Sequence, residues 1–333
     1  MDDKTSRFPF RATPNSWFHL LWSDDVARER FLHVRAFETE LIAFRGRDGA
    51  VTVLDAHCHH HGVATQGRLV GEHFCCPVDG LVFDRAGRCV GGARRSTAAG
   101  GVSGPAGAPS LRRWEVREQD GMILVHHDVE GRAPSFEVPH IPECSSDRWL
   151  PVGRIEWTVR SHIQELVENS VDLAHFALLH NFTELARLVH YQSQPHTFSV
   201  TIAAPKLVFG RPRPTELTIE YHGMGVALGR VTRPFPFLNV VTNLPVDSEH
   251  MRLRFNLFVK APRVPVLRHV MAAGLRWHVR HDVEEELRVL EHKRYLERPA
   301  LAAGDGPIMS VRRWCQQFYD LAADREAPMT SAG

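Results

Sequence analysis

With 333 residues, 43% hydrophobic and 24% charged, the chain has the length of two ordinary domains and the balance of one that buries a core. A net charge of +1 gives no electrostatic case for nucleic acid or an anionic membrane, and no apolar run approaches the ~20 residues of a membrane span. The polar start, Met1-Asp2-Asp3-Lys4, is not a secretory leader, and six cysteines in such a chain suggest metal ligands rather than disulfides, so a cytoplasmic protein is expected.

In chain order, Trp17–Trp22, Glu40–Phe44, Val51–Leu54 and Met122–Val125 are β-rich runs, and Gly-Arg-Asp-Gly at 46–49 and Asp-Arg-Ala-Gly at 84–87 predict hairpin turns. A small all-β domain over 1–135 follows, with a Gly-, Ala- and Pro-rich surface loop at 91–109. Prolines mark a linker at 136–150. The remainder, 151–333, mixes classes: a helix or broken pair of helices at 161–181, strands at 196–210, 216–230, 237–243 and 251–260, then helices from Val264 to about Leu296 and from Pro307 to about Ala323. The fold class is therefore α+β. Only four of the 40 basic residues are lysine (Lys4, Lys206, Lys260 and Lys293), the Arg-rich coding of a GC-rich bacterial genome.

Two constellations carry chemistry. Cys58-His59-His60-His61-Gly62 is followed, with fifteen residues between His60 and Cys76, by Cys76-Pro77-Val78-Asp79-Gly80. This pattern resembles the Rieske [2Fe–2S] motif, C-x-H…C-x-x-H, in which two thiolates hold one iron and two imidazoles the other. Asp79 stands where the second imidazole belongs. Three readings stay open: Asp79 ligates through oxygen and lowers the potential; His57, His59, His61 or His73 substitutes; or the cluster is absent or labile.

The second constellation is Asn169-Ser170-Val171-Asp172-Leu173-Ala174-His175…His180. Histidines five apart stand about 140° apart on an ideal helix, so they meet on one metal only if the helix is distorted between them or one lies past its end. Two histidines and one carboxylate form the open site of non-haem Fe(II) oxygenases. Asp282 and Glu286, at i, i+4 in Arg280–Leu287, are the candidate carboxylates.

Together with Glu291-His292-Lys293…Asp305-Gly306-Pro307…Arg312-Arg313-Trp314, these motifs resemble the oxygenase component of Rieske non-haem iron oxygenases, in the ketosteroid hydroxylase and cholesterol desaturase branch, over residues ~10–325. The resemblance implies a Rieske domain, a linker and a helix-grip-like α+β catalytic domain. It implies Cys58, His60 and Cys76, with Asp79, at a [2Fe–2S] cluster. His175 and His180 would hold Fe(II), with Glu286 favoured over Asp282 as third ligand by the gapless register. Asn169 would lie near the iron, and Asp172 would bridge subunits of a homotrimer. The implied activity is mono-oxygenation, by hydroxylation, desaturation or demethylation, of a bulky apolar, steroid- or polyketide-like molecule with O2. Electrons would come from NAD(P)H only indirectly, through a separate flavin/iron–sulfur reductase, since the chain carries no Gly-rich dinucleotide fingerprint. With Asp79 opposite Asp172, two carboxylates face each other and repel unless one holds a proton. A redox-silent homologue, acting as a binding or partner subunit, is the alternative.

Overall fold

A computed structural model describes residues 7–57, 67–78, 80–92, 110–180, 182–208, 210–261, 267–302 and 304–320. The chain divides into two compact units, His19–His127 and a second formed by Asp128 onward together with the start of the chain to Phe18.

The first unit is all β. Strands β2 (Phe31–Ala36), β3 (Thr39–Arg45) and β4 (Val51–Asp55) form an antiparallel meander. β1 (Ser16–Trp22), which enters from the chain start, forms a three-stranded sheet with β10 (Met122–His127) and β9 (Glu115–Gln119). Four short strands, β5 (Arg68–Val70), β6 (His73–Cys75), β7 (Val82–Phe83) and β8 (Cys89–Gly91), make a separate sheet. Both expected turns are present, joining β3 to β4 and β7 to β8. Ile42, Phe44, Leu54, Phe74 and Phe83 are buried together as its core. Nearly all of the expected 91–109 loop lies outside the described residues.

The second unit is built on one seven-stranded antiparallel sheet, ordered β11-β17-β16-β15-β14-β13-β12. Its strands are β11 (Trp149–Val159), β12 (Arg187–Gln194), β13 (Thr197–Val208), β14 (Arg211–His222), β15 (Val226–Arg233), β16 (Phe237–Pro245) and β17 (Met251–Lys260). β11 begins inside the stretch expected as a linker. Within that stretch a 3-10 turn at Pro142–Ser145 is tied to the sheet by Glu143, whose Oε1 accepts from Arg230 Nε at 2.7 Å. The expected single run at 216–230 is a hairpin. Gly223, at φ +61°, turns the chain between β14 and β15, and a Cβ there would stand 2.3 Å from the Ser16 hydroxyl.

Among the described residues four helices accompany the sheet: α1 (Ile163–Asn169), α2 (Leu173–Leu179), α3 (Leu267–Leu290) and α4 (Ile308–Gln316). The broken pair expected at 161–181 is α1 and α2. α3 packs against β11 and β17 through a buried stripe, Val279, Val283, Leu287 and Leu290, at helical spacing. It ends six residues before the expected Leu296. Arg7 occupies that end: Nη2 donates to Leu290 O and Nε to Lys293 O, both at 2.7 Å, satisfying carbonyls a longer helix would have paired internally.

Candidate metal centre

α1 and α2 are separated by a sharp turn, and that turn builds the site. Asp172 is the N-cap of α2, its carboxylate accepting from Ala174 N at 3.1 Å, so α2 starts afresh instead of continuing α1. Gly306 supports the turn from the loop before α4. At φ +77° it passes so close to the Val171 carbonyl that a Cβ would stand 2.0 Å from the oxygen.

His175 lies within α2, and His180 is its C-cap, at φ −113°, ψ 21°. Leaving the helix is what lets two histidines five apart converge: their ring centroids are 5.0 Å apart. One ligand atom each from His175, His180 and Glu286 lie within 4.8 Å of one another. All three are largely shielded from solvent, with His175 8% exposed and the His180 and Glu286 side chains 13%.

The rings are oriented by their neighbours. His175 Nδ1 lies 2.5 Å from the Asp172 backbone oxygen; with that edge donating, Nε2 keeps its lone pair. Asn169, the last residue of α1, donates from Nδ2 to Glu286 Oε1 at 2.5 Å and sits 3.4 Å from His175 Nε2. His180 has a carboxylate on each edge: Glu286 Oε2 is 3.4 Å from Nε2, and Asp282 Oδ2 is 3.8 Å from Nδ1, an ion-pair rather than a hydrogen-bond distance. Burial disfavours the His180 cation, but Asp282 and Glu286 outweigh it and push its pKa up to about 9. Burial lowers the His175 pKa, and Glu286 opposes that shift only in part. The two carboxylates therefore favour positive charge at His180, whereas His175 stays neutral.

The expected residues fall into three groups. His175, His180, Glu286 and Asn169 come together. Asp282 is beside them, but its carboxylate is engaged with Lys206 Nζ at 3.0 Å and His278 Nε2 at 3.4 Å. The Asp172 side chain caps α2 while its backbone oxygen serves His175. Of the four residues implied at the cluster only Cys76 is described. It is 2% exposed, at the head of a turn closed by Cys76 N to Leu81 O at 2.7 Å and Gly80 N to Cys76 O at 3.2 Å. Cys58, His60 and Asp79 lie outside the described residues. Sequence reading missed Lys206 and His278; the rarity of lysine was the one available signal for the former.

Two nitrogens and one carboxylate oxygen suit Fe(II), so the donor set fits the implied iron. At the implied cluster the buried Cys76 thiol fits, while the carboxylate of Asp79 differs from the imidazole the motif requires.

Residues 125–319 match the family described as 3-ketosteroid 9alpha-hydroxylase C-terminal domain, and residues 16–101 match the Rieske [2Fe-2S] domain. Among curated proteins, the chain is 28% identical to cholesterol 7-desaturase of Hemicentrotus pulcherrimus, over 92% of this chain and 70% of that protein. It is also 28% identical to a 3-ketosteroid-9-alpha-monooxygenase oxygenase component of Rhodococcus rhodochrous, over 89% and 80%. Among solved structures, dicamba monooxygenase bound to dicamba has the same fold, with a TM-score of 0.75 and 20% identity over 94% of this chain and 99% of that one.

Proposed function

We infer the function of this chain from its family: it belongs to the 3-ketosteroid 9α-hydroxylase family of Rieske non-haem iron oxygenases. It is an oxidoreductase that uses a [2Fe–2S] cluster and a mononuclear iron. We propose that His175, His180 and Glu286 hold Fe(II), and that Cys58, His60, Cys76 and Asp79 surround the cluster. The convergence of two imidazoles and one carboxylate within 4.8 Å carries this reading. When bound, such an iron activates O2 for attack on a C–H bond.

The chain's own residues do the rest. Asn169 holds Glu286 through Oε1, and the Asp172 carbonyl holds the His175 tautomer. The proposed substrate is bulky, apolar and steroid-like. The cross-strand register puts Ile202, Leu217, Val231 and Phe237 on the sheet face that carries Lys206, whose ammonium reaches the site through Asp282. An apolar wall of this kind suits a fused-ring hydrocarbon, and the names of the relatives point the same way. Hydroxylation is favoured over desaturation or demethylation only by the family that matches the C-terminal domain.

Electrons come from a separate reductase, as the relatives named oxygenase components imply. A homotrimer in the cytoplasm is proposed from the family resemblance; among the described residues no helix is long and apolar enough to cross a membrane. The presence of Asp79 favours one second reading, a redox-silent partner subunit. Iron and acid-labile sulfide analysis of anaerobically purified protein, with its visible spectrum, separates the two. Two cluster irons, two sulfides and one further iron per chain support the oxygenase, as does conversion of a 3-ketosteroid or sterol with a surrogate reductase. A colourless protein without sulfide, inactive on such substrates, supports the partner subunit.

A further inference from the structure

We propose that Asp282, held by Lys206, is a positioning residue for His180: its carboxylate takes the Nδ1 edge of the ring and so aims Nε2 at the centre shared with His175 and Glu286. This rests on the assignment of that centre as the iron site. Asp282 and Glu286 stand one helical turn apart on α3, yet they meet opposite edges of the same imidazole. Either carboxylate has the chemistry of a ligand. Lys206 distinguishes them, because its Nζ lies 3.0 Å from Asp282 Oδ2, the same oxygen that faces His180 Nδ1 and, at 3.4 Å, His278 Nε2.

Asp282 is 7% exposed, and a carboxylate so buried is tolerated only beside a cation. Lys206 supplies that charge from β13, on the sheet opposite the helix, and holds Asp282 on the outer edge of His180, away from the centre that His175, His180 and Glu286 share. The residue type suits the task. A lysine is a compact point charge that can sit on one oxygen, whereas the guanidinium fork of arginine favours both. Lysine fills only four of this chain's 40 basic positions, and one of them is here. The arrangement parallels the one at His175, where Nδ1 is hydrogen-bonded to the Asp172 carbonyl at 2.5 Å, with the longer ion-pair contact of 3.8 Å from Asp282 at His180. Each ring thus turns its remote nitrogen to an oxygen and its Nε2 to the centre, the usual support of a metal-bound histidine.

Co(II) titration of the full-length protein, read by its visible d–d bands and by paramagnetic proton NMR, tests the assignment without turnover. The wild type should show two solvent-exchangeable, hyperfine-shifted N–H resonances, one per ligating imidazole. Asp282→Asn should move or exchange-broaden one of them, leave the other and the d–d bands in place, and weaken Co(II) binding by about 10–100-fold. Lys206→Met should perturb the same resonance, with folding of both variants checked by circular dichroism. Glu286→Gln should alter the d–d bands. The proposal is overturned if both resonances stay unchanged in Lys206→Met and Asp282→Asn, or if Asp282→Asn alters the d–d bands as Glu286→Gln does, which would make Asp282 a ligand. A wild-type protein that binds neither Co(II) nor Fe(II) overturns the iron-site assignment beneath it.

Discussion

At the scale of single residues, the proposed iron site depends on atoms that few substitutions can replace. His175→Ala and His180→Ala should each abolish mononuclear iron binding and turnover while leaving the fold intact, because both imidazoles face the shared centre and neither fills the apolar core. Glu286→Ala should do the same and should also release Asn169 Nδ2, whereas Asp282→Ala should weaken iron retention without abolishing it. Iron content after anaerobic reconstitution, with circular dichroism as the control, checks the order; greater loss in Asp282→Ala than in Glu286→Ala would sink the ligand assignment. The two histidines were legible from their spacing, since five residues forced a choice between a distorted helix and a ligand beyond its end. The carboxylate was harder to read. Asp282 and Glu286 share a helical flank, and the difference between them is made by Lys206, 76 residues earlier on a strand. No local pattern in the chain announces that pairing.

At the scale of elements, helix ends do much of the positioning, and one of them titrates. His162 is the N-cap of α1, its Nδ1 accepting from Gln164 N at 3.1 Å while Nε2 faces the Arg11 carbonyl at 3.0 Å. That pairing needs the neutral ring, with its proton on Nε2 and a lone pair on Nδ1. Burial pushes the pKa down to about 4, against the pull of the Arg11 and Ala12 carbonyls. In the unfolded chain the group titrates near its ordinary 6.5. The stability it contributes is therefore complete above about pH 6.5 and is lost as pH falls towards 4, because only the unfolded chain takes up the proton there. The loss is on the order of 3 kcal/mol. Asparagine keeps an N-cap acceptor and does not titrate, so His162→Asn should lose less stability than the wild type between pH 7 and 4.5. Urea midpoints at the two pH values measure this, and equal losses would remove His162 as the cause. Nine of the 17 strands among the described residues and both late helices were legible from periodicity. The end of α3 was not, because Arg7 reaches it from some 280 residues away. β12 was also missed: it lies at the sheet edge with nearly every residue exposed, so it carries none of the alternation that marks a half-buried strand.

At the scale of the whole molecule, the family assignment joins a proposed iron site of two imidazoles and one carboxylate to a Rieske domain that carries Asp79 where the motif has its second imidazole. Restoring the family residue, Asp79→His, should change the redox centre and leave the fold alone. A ligating carboxylate is anionic and only accepts hydrogen bonds, while an imidazole ligand is neutral and can donate its second N–H. If Asp79 now ligates iron, it stabilises the ferric state, and the His variant should show a higher reduction potential and a more Rieske-like visible spectrum. If the cluster is now missing or labile, the variant should gain iron and acid-labile sulfide, since Cys58, His60 and Cys76 already supply the other donors. The same change should replace a repelling carboxylate pair with an imidazole that can donate to Asp172 across the proposed subunit boundary. Asp172 already accepts from Ala174 N at 3.1 Å, and its carboxylate has further lone pairs for such a donor. Electron transfer from the cluster across that boundary should then quicken, measurable as single-turnover oxidation of the reduced cluster. The outcome that defeats this argument is a wild-type protein whose pulsed EPR already shows two histidine nitrogens on a stable Rieske cluster. In that case a neighbouring histidine, His57, His59, His61 or His73, would be the fourth ligand, and Asp79→His should leave the potential unchanged.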